Sequence, residues 1–180
     1  MAIVNLTAMS ALTDAADADV LYIVDDPASS ALPRKITYQN IVRRAYGEIS
    51  VTGGTTAQSI SATTFTKLTC FDTNGLSKGT TNSHANDKIT VTDAGVYFVE
   101  LAASYSTSDA LTADLCIYYN GSATQGKSCI TTLANFCAST SINSIVNVAS
   151  GSTDFEAYVY LSGASNITVK HAALSVLRIA

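Results

Sequence analysis

Charge is scarce in this 180-residue chain: 13% of its residues are Asp, Glu, Lys or Arg, the balance is −4, and the pI lies near 4.9. No basic stripe could neutralise a phosphate backbone, and the Arg43–Arg44 pair is too small to supply one, so nucleic acid is not expected as a partner. Long apolar runs are lacking as well. Mean hydropathy is +0.24, but no uninterrupted apolar stretch approaches the roughly 20 residues a spanning helix needs, so no membrane partner is expected. Met1 to Asn5 contains no basic segment leading into an apolar one, which predicts a chain without a secretory signal. Cys70, Cys116, Cys129 and Cys137 form no C-x-x-C pair and fit no zinc knuckle, so they are expected to be free, core-packed thiols of a chain folded in a reducing cytoplasm.

Catalytic patterns are missing too. There is no G-x-S-x-G, no phosphate-cradling glycine loop, no H-E-x-x-H and no D-x-D-x-D-G loop. Only two histidines occur. His84 lies in a polar loop where it is either a metal or receptor contact or a solvated side chain, and His171 reads as the end of a strand's polar face. The early acids Asp14, Asp17, Asp19, Asp25 and Asp26 match no calcium-loop spacing and read as a solvated or partner-facing patch. The region from residue 48 onward carries nine scattered acids, against the clustered pair that glycan hydrolysis requires. The reading is therefore not an enzyme, with no cofactor and no metal.

What is abundant is the neutral hydroxyl: 23 Thr and 21 Ser, alongside 47% apolar residues. β-branched and aromatic residues suit a pleated, half-buried surface, and Ser or Thr can fill its outer side. Composition shifts near residue 47, because both prolines, Pro27 and Pro33, and the acidic run precede it. This divides the chain into an arm, 1–47, and a larger domain, 48–180. In the arm, Val20–Val24 reads as a strand ended by Asp25-Asp26-Pro27, and Ile36–Arg44 as a short helix with Thr37 as N-cap and Tyr38, Ile41 and Val42 as its apolar side. Such a small arm cannot bury enough surface to fold alone and needs a partner.

The larger domain repeats short apolar or alternating runs at 48–52, 58–61, 65–71, 76–81, 88–92, 96–106, 113–120, 127–137, 141–149, 154–162 and 167–179. Turn signals at Gly53-Gly54, Asn74-Gly75, Asp93-Ala94-Gly95, Asn120-Gly121, Gly151 and Gly163 punctuate them, which predicts an all-β sandwich or barrel. From Val96 to Tyr105, one face carries Tyr97, Val99, Leu101, Ala103 and Tyr105, and the other carries Val96, Phe98, Glu100, Ala102 and Ser104. Both faces are substantially apolar, so this strand is expected to be covered twice: by its own core and by another domain or subunit.

The run from Ile89 to Val99, ITVTDAGVYFV, and Leu115 to Gly121, LCIYYNG, resemble the C1q and tumour-necrosis-factor-like jelly roll, with its Gly-x-Tyr-x-Phe strand and a strand ending in Asn-Gly. Ile145 to Gly151 is similar to the family's apolar strand before Gly-Asp, although here Ser152 follows the glycine and the acid comes at Asp154. The resemblance covers residues 48–180. It implies an antiparallel jelly-roll sandwich and a homotrimer in which one sheet of each copy faces the threefold axis. It further implies that Val96, Phe98 and Glu100 face the axis, that Val176 and Arg178 join them from the C-terminal strand, and that Leu177 and Ile179 point inward. Glu100 and Arg178 are then either an axial ion pair or two solvated rim charges.

Ala11 to Pro27 followed by Arg34 to Ile41 resembles the opening of tailed-phage fibre and virion-appendage proteins, in which this stretch anchors the protein to the particle. On that resemblance Val20, Leu21, Tyr22, Ile23, Ile36, Tyr38 and Ile41 are anchoring candidates. The two likenesses imply a structural protein on the virion surface of a tailed bacteriophage, assembled in the host bacterial cytoplasm. It would be a homotrimeric capsid decoration or short head fibre whose partners are other virion proteins of capsid or tail. The alternative is the receptor-binding tip of a tail fibre or a baseplate adhesin, holding a host surface glycan through residues such as His84, Tyr118 and Tyr119. Tyr118, Tyr119, Tyr158 and Tyr160 are adjacent or alternate, so some face out and some in.

Overall fold

Alternation of buried and more exposed residues runs from Val96 to Thr107, and Thr153–Leu161 alternates without a break. The computed structural model describes residues 20–24, 33–37, 45–54, 57–149 and 151–180, which fall into two compact units, 1–43 and 44–180. In the first, β1 (Val20–Val24) pairs antiparallel with β2 (Pro33–Thr37), in register from Val20 opposite Thr37 to Val24 opposite Pro33. The helix expected from Ile36 is corrected at its start: Ile36 and Thr37 are extended and pair with Leu21 and Val20. Pro33 opens the strand, a position where its missing N–H is tolerated. The rest of that expected helix, with Tyr38 and Ile41, lies outside the described residues.

The second unit contains β3 (Tyr46–Val51), β4 (Gln58–Ile60), β5 (Thr66–Lys67), β6 (Thr73–Lys78), β7 (Thr80–Ser83), β8 (Lys88–Val91), β9 (Gly95–Thr107), β10 (Leu111–Tyr119), β11 (Ser122–Thr132), β12 (Cys137–Val148), β13 (Thr153–Leu161) and β14 (Ser165–Arg178). A front sheet runs β12-β9-β14-β3-β6 with β4 on β14, and a back sheet runs β11-β10-β13-β8-β7 with β5 on β13. All these strand pairs are antiparallel, as a jelly roll requires. Sandwich pairing reaches back to Ala45, which is buried and accepts a 2.7 Å hydrogen bond from the Arg178 N–H, so residues 45–47 belong to this unit and not to the arm.

Between the sheets lie Ile49, Tyr97, Val99, Leu101 and Tyr105 from the front and Leu115, Ile117, Phe155, Val159 and Leu161 from the back, all fully buried. Each contributes roughly 1.5–3 kcal/mol through burial. The single expected strand 76–81 is split, because Gly79 (φ 64) turns the chain from β6 into β7, and the expected turn at Asn74-Gly75 lies inside β6. There the β3 register is irregular, and a Cβ on Gly75 would sit 3.1 Å from that of Glu48. Cys70 and Cys116 are buried, but Cys129 and Cys137 are exposed, contrary to the expectation of four core thiols. All four are free.

Candidate functional site

Register places the outward side chains of the front sheet in rows across its strands. One row is Ile145, Phe98, Leu177, Tyr46; the next is Asn143, Glu100, Ser175, Glu48; the next is Ser141, Ala102, Ala173, Ser50. The first row is a band of large apolar groups, with Ile145 67% exposed, Leu177 41% and Tyr46 37%. Phe98 is half-buried among them, and Leu76 from β6 stands nearby, 82% exposed. Tyr46, Glu48, Leu76, Phe98, Glu100 and Leu177 line a groove of about 330 Å³ here. Further along the sheet the side chains shrink to Ala and Ser, leaving a shallow groove of about 540 Å³ over Ala102, Ser104, Ser141, His171 and Ala173.

Val96, Phe98 and Glu100 do occupy this face, and Tyr97, Val99 and Leu101 look into the core. Val176 and Arg178 do not join them. Val176 is opposite Val99 and buried, whereas Leu177 is opposite Phe98 and outward. The cause is a bulge between Val169 and His171, which switches the core-facing residues of β14 from Ile167 and Val169 to Ala172, Leu174 and Val176. Arg178 is opposite Tyr97, its Nε donates to Ala180 O at 3.1 Å, and its Nη1 lies 4.0 Å from Asp93 Oδ2. Glu100 and Arg178 are thus on opposite faces and do not pair within the protomer. Ile179, expected inward, is 52% exposed, and His171 sits at the bulge in mid-strand and not at a strand end.

The back sheet's outward face is closed on itself. Tyr118 stacks on Tyr158 with ring centroids 3.9 Å apart, and Phe65 packs at 5.9 Å from Tyr118 and 5.4 Å from Tyr160. Lys127 lies over the Phe65 ring at 5.0 Å, a cation–π contact. Beside them Lys67 pairs with Glu156, and Asp154 accepts from Lys88 at 2.8 Å and from Thr90 at 2.5 Å. Burial opposes the Asp154 charge, but the Lys88 and Thr90 bonds outweigh it and hold its pKa below the ordinary value; the Asp154 bond raises that of Lys88.

Tyr119 is turned from Tyr118 and packs against the core, as neighbours on one strand must. His84 opens a 3-10 turn, His84–Asn86, between β7 and β8, two strands from β10, and its N–H donates to Asn74 Oδ1 at 2.8 Å. His84, Tyr118 and Tyr119 therefore do not form one site. Tyr46 and Leu177 were missed as members of the front face; their shared row depends on the β3–β14 register, which alternation alone does not encode.

Chemically these surfaces suit contact better than catalysis. Burial, then Asp87 and Asp72, push the Cys70 thiol up to about 12, and Asp114 raises that of Cys129 chiefly through a hydrogen bond, so neither is an activated nucleophile. Asp87 is raised by burial, against the N–H of Phe71 that it accepts at 3.0 Å. Among the described residues no group of three or more His, Cys, Asp or Glu is placed to hold a metal ion.

No protein-family model and no curated protein matches the sequence. Solved structures do match in fold. The globular domain of zebrafish complement 1qA protein is similar at 12% identity with a TM-score of 0.54, over 76% of this chain and 98% of that one. Eiger TNF from S. frugiperda (12% identity, TM-score 0.48, 76% of this chain and 92% of that one) and murine APRIL (13%, 0.47, 71% and 98%) follow. At these identities the likeness is one of architecture, and the architecture is an antiparallel, C1q/TNF-like jelly roll.

Proposed function

We propose that this chain is a non-catalytic structural protein of a tailed-phage virion: a homotrimeric capsid decoration or short head fibre that docks through its N-terminal arm and projects the jelly roll as a knob. The observation that carries the oligomeric part is the apolar row Ile145, Phe98, Leu177 and Tyr46, which lies open on the protomer's front sheet. Contiguous exposed apolar surface of this kind marks an interface. A ring of three copies, each turning this face to the axis, covers it. The virion assignment rests on the resemblance of Ala11 to Ile41 to phage-appendage anchors.

Two measurements test the reading. Phe98→Asp should convert a trimer to monomers in sedimentation with the β circular dichroism retained, and an unchanged trimer would refute the axial face. Removal of residues 1–43 should abolish occupancy on purified particles; full occupancy would refute anchoring by the arm. A second reading, an adhesin for host glycans, is favoured by the ring cluster of Phe65, Tyr118, Tyr158 and Tyr160 on the back sheet. Hundreds of copies per particle support decoration, and a few to dozens support the adhesin.

A further inference from the structure

The pairing of β1 with β2 makes a sheet of two strands with two outer edges, and among the described residues no third strand joins either edge. Every residue but proline carries one backbone N–H and one C=O, and in an antiparallel pair alternate residues turn both groups away from the partner strand. Five opposed pairs do not offset the entropy of ordering them. An isolated pair of strands is at best marginally stable in water, and a third strand is one of the additions that make it persist. The β1–β2 sheet is therefore short of a partner, and its two edges differ in what they admit.

β2 reads Pro33-Arg34-Lys35-Ile36-Thr37, and its proline and two cations are the devices by which natural sheets keep an edge from pairing. β1 reads Val20-Leu21-Tyr22-Ile23-Val24, with no charge, proline or glycine, so every N–H along it is present. A strand of that composition pairs readily and is a hazard if left open. Asp14, Asp17 and Asp19 precede it and Asp25 and Asp26 follow it. Charge thus guards the ends of β1 and leaves its length clear.

We propose that the free edge of β1 is the docking surface of the arm, and that its occupant is an exposed edge strand of a different virion protein, which adds to β1 as a third strand. The five residues of β1 present alternating N–H and C=O groups over about 17 Å, a row complementary to the edge of another strand. Symmetry sets aside the other copies of this chain. β1 against β1 of a second copy is a twofold contact, which joins two arms of a homotrimer and leaves the third without a mate. β1 against the β2 edge of the next copy would close a ring of three, but that edge carries Pro33, Arg34 and Lys35. This inference rests on the reading of a homotrimer anchored by its arm, and adds which edge anchors it and what that edge takes.

The test uses the full chain on purified particles. Tyr22 lies opposite Lys35 and Ile23 opposite Arg34; one of these pairs exchanges N–H···O bonds and the other turns its N–H groups outward. The variants are Tyr22→Pro, Ile23→Pro, Arg34→Pro and Lys35→Pro, made singly. In the inward pair either proline breaks the arm's own ladder, so both should lose occupancy. In the outward pair the β1 proline removes a docking donor and should weaken binding about 10-fold or more, whereas the β2 proline sits on an open edge that tolerates it. Three of the four variants should therefore lose occupancy, and the one that keeps it should lie on β2. Amide hydrogen exchange should agree, with outward amides of residues 20–24 slowed on the particle and those of residues 33–37 unchanged. Full occupancy after removal of residues 1–43 sinks the anchoring reading and this inference with it. If occupancy depends on the arm but all four prolines abolish it, or the tolerated one lies on β1, the edge assignment is overturned and the anchor stands. Crosslinking of p-benzoylphenylalanine in place of Tyr22 to a second copy of this chain would overturn it in the same way.

Discussion

The outward faces of the two sheets share one strand chemistry and reach opposite states. On the back sheet the rings and most charges find partners within the chain: Tyr118 stacks on Tyr158, Lys127 covers Phe65, Lys67 holds Glu156, and Lys88 and Thr90 hold Asp154. On the front sheet Ile145 and Leu177 stand open, and no ion pair joins Glu48 or Glu100 to another described residue. The back face holds its own rings and charges together, and the front face leaves apolar groups open, as the proposed trimer requires. Burial alone does not reveal this, since both sheets are equally tight on their core side; the difference lies in whether the outer groups are saturated.

The same replacement made on each face should break the comparison most sharply. Leu177→Asp puts a carboxylate into the apolar row beside Phe98 and Tyr46, where covering it costs several kcal/mol per copy. The dissociation concentration of the proposed trimer should rise roughly 100-fold or more, with little change in protomer unfolding, because Leu177 is already half in water. Tyr158→Asp removes one ring of the back-face stack, which should cost about 1–2 kcal/mol of protomer stability in urea and leave assembly unchanged. Equal effects of the two variants on sedimentation would erase the distinction between the faces.

How far these faces were legible depended on whether alternation ran unbroken. In β9 it does, and the inward set Tyr97, Val99 and Leu101 against the outward set Val96, Phe98 and Glu100 could be read directly. In β14 the bulge between Val169 and His171 inserts a residue, and counting on from Ile167 and Val169 sends Leu177 inward and Val176 outward, the reverse of what forms. Nothing in the composition of Val169-Lys170-His171 announces a bulge. The Tyr118–Tyr158 stack was hidden for a related reason: it follows from Tyr118 lying opposite Glu156 on β13, a register set by tertiary pairing.

A smaller effect probes the saturation of the back face. Because the bonds from Lys88 and Thr90 hold the folded Asp154 pKa below its unfolded value, Asp154 contributes stability that is present above about pH 4 and lost as pH falls through the lower, folded value. Asp154→Asn should therefore cost about 1.5 kcal/mol at pH 7. The gap between wild type and variant in urea midpoints should narrow as pH falls below about 4. A gap that persists undiminished at pH 2 would assign the cost to packing and not to the carboxylate's bonds.

The smallest effect separates two tyrosines on the core side of one strand. Tyr97 and Tyr105 are both fully buried on β9, but the Tyr97 hydroxyl donates to Asp93 O at 2.9 Å, whereas the Tyr105 hydroxyl has no hydrogen-bond partner among the described residues. Burial, then Asp114 and Cys129, push the Tyr105 phenol up to about 12, so the group stays neutral in the fold. Tyr97→Phe should lose about 1 kcal/mol, the value of a made hydrogen bond. Tyr105→Phe should be neutral or gain up to about 1 kcal/mol, because it removes a polar atom whose desolvation nothing offsets. It should also flatten the loss of stability above about pH 10, where the unfolded phenol ionises and the folded one does not. The opposite signs are the informative result: with the ring burial common to both, they isolate the hydroxyl, and a loss at both positions would mean that the Tyr105 hydroxyl is bonded after all.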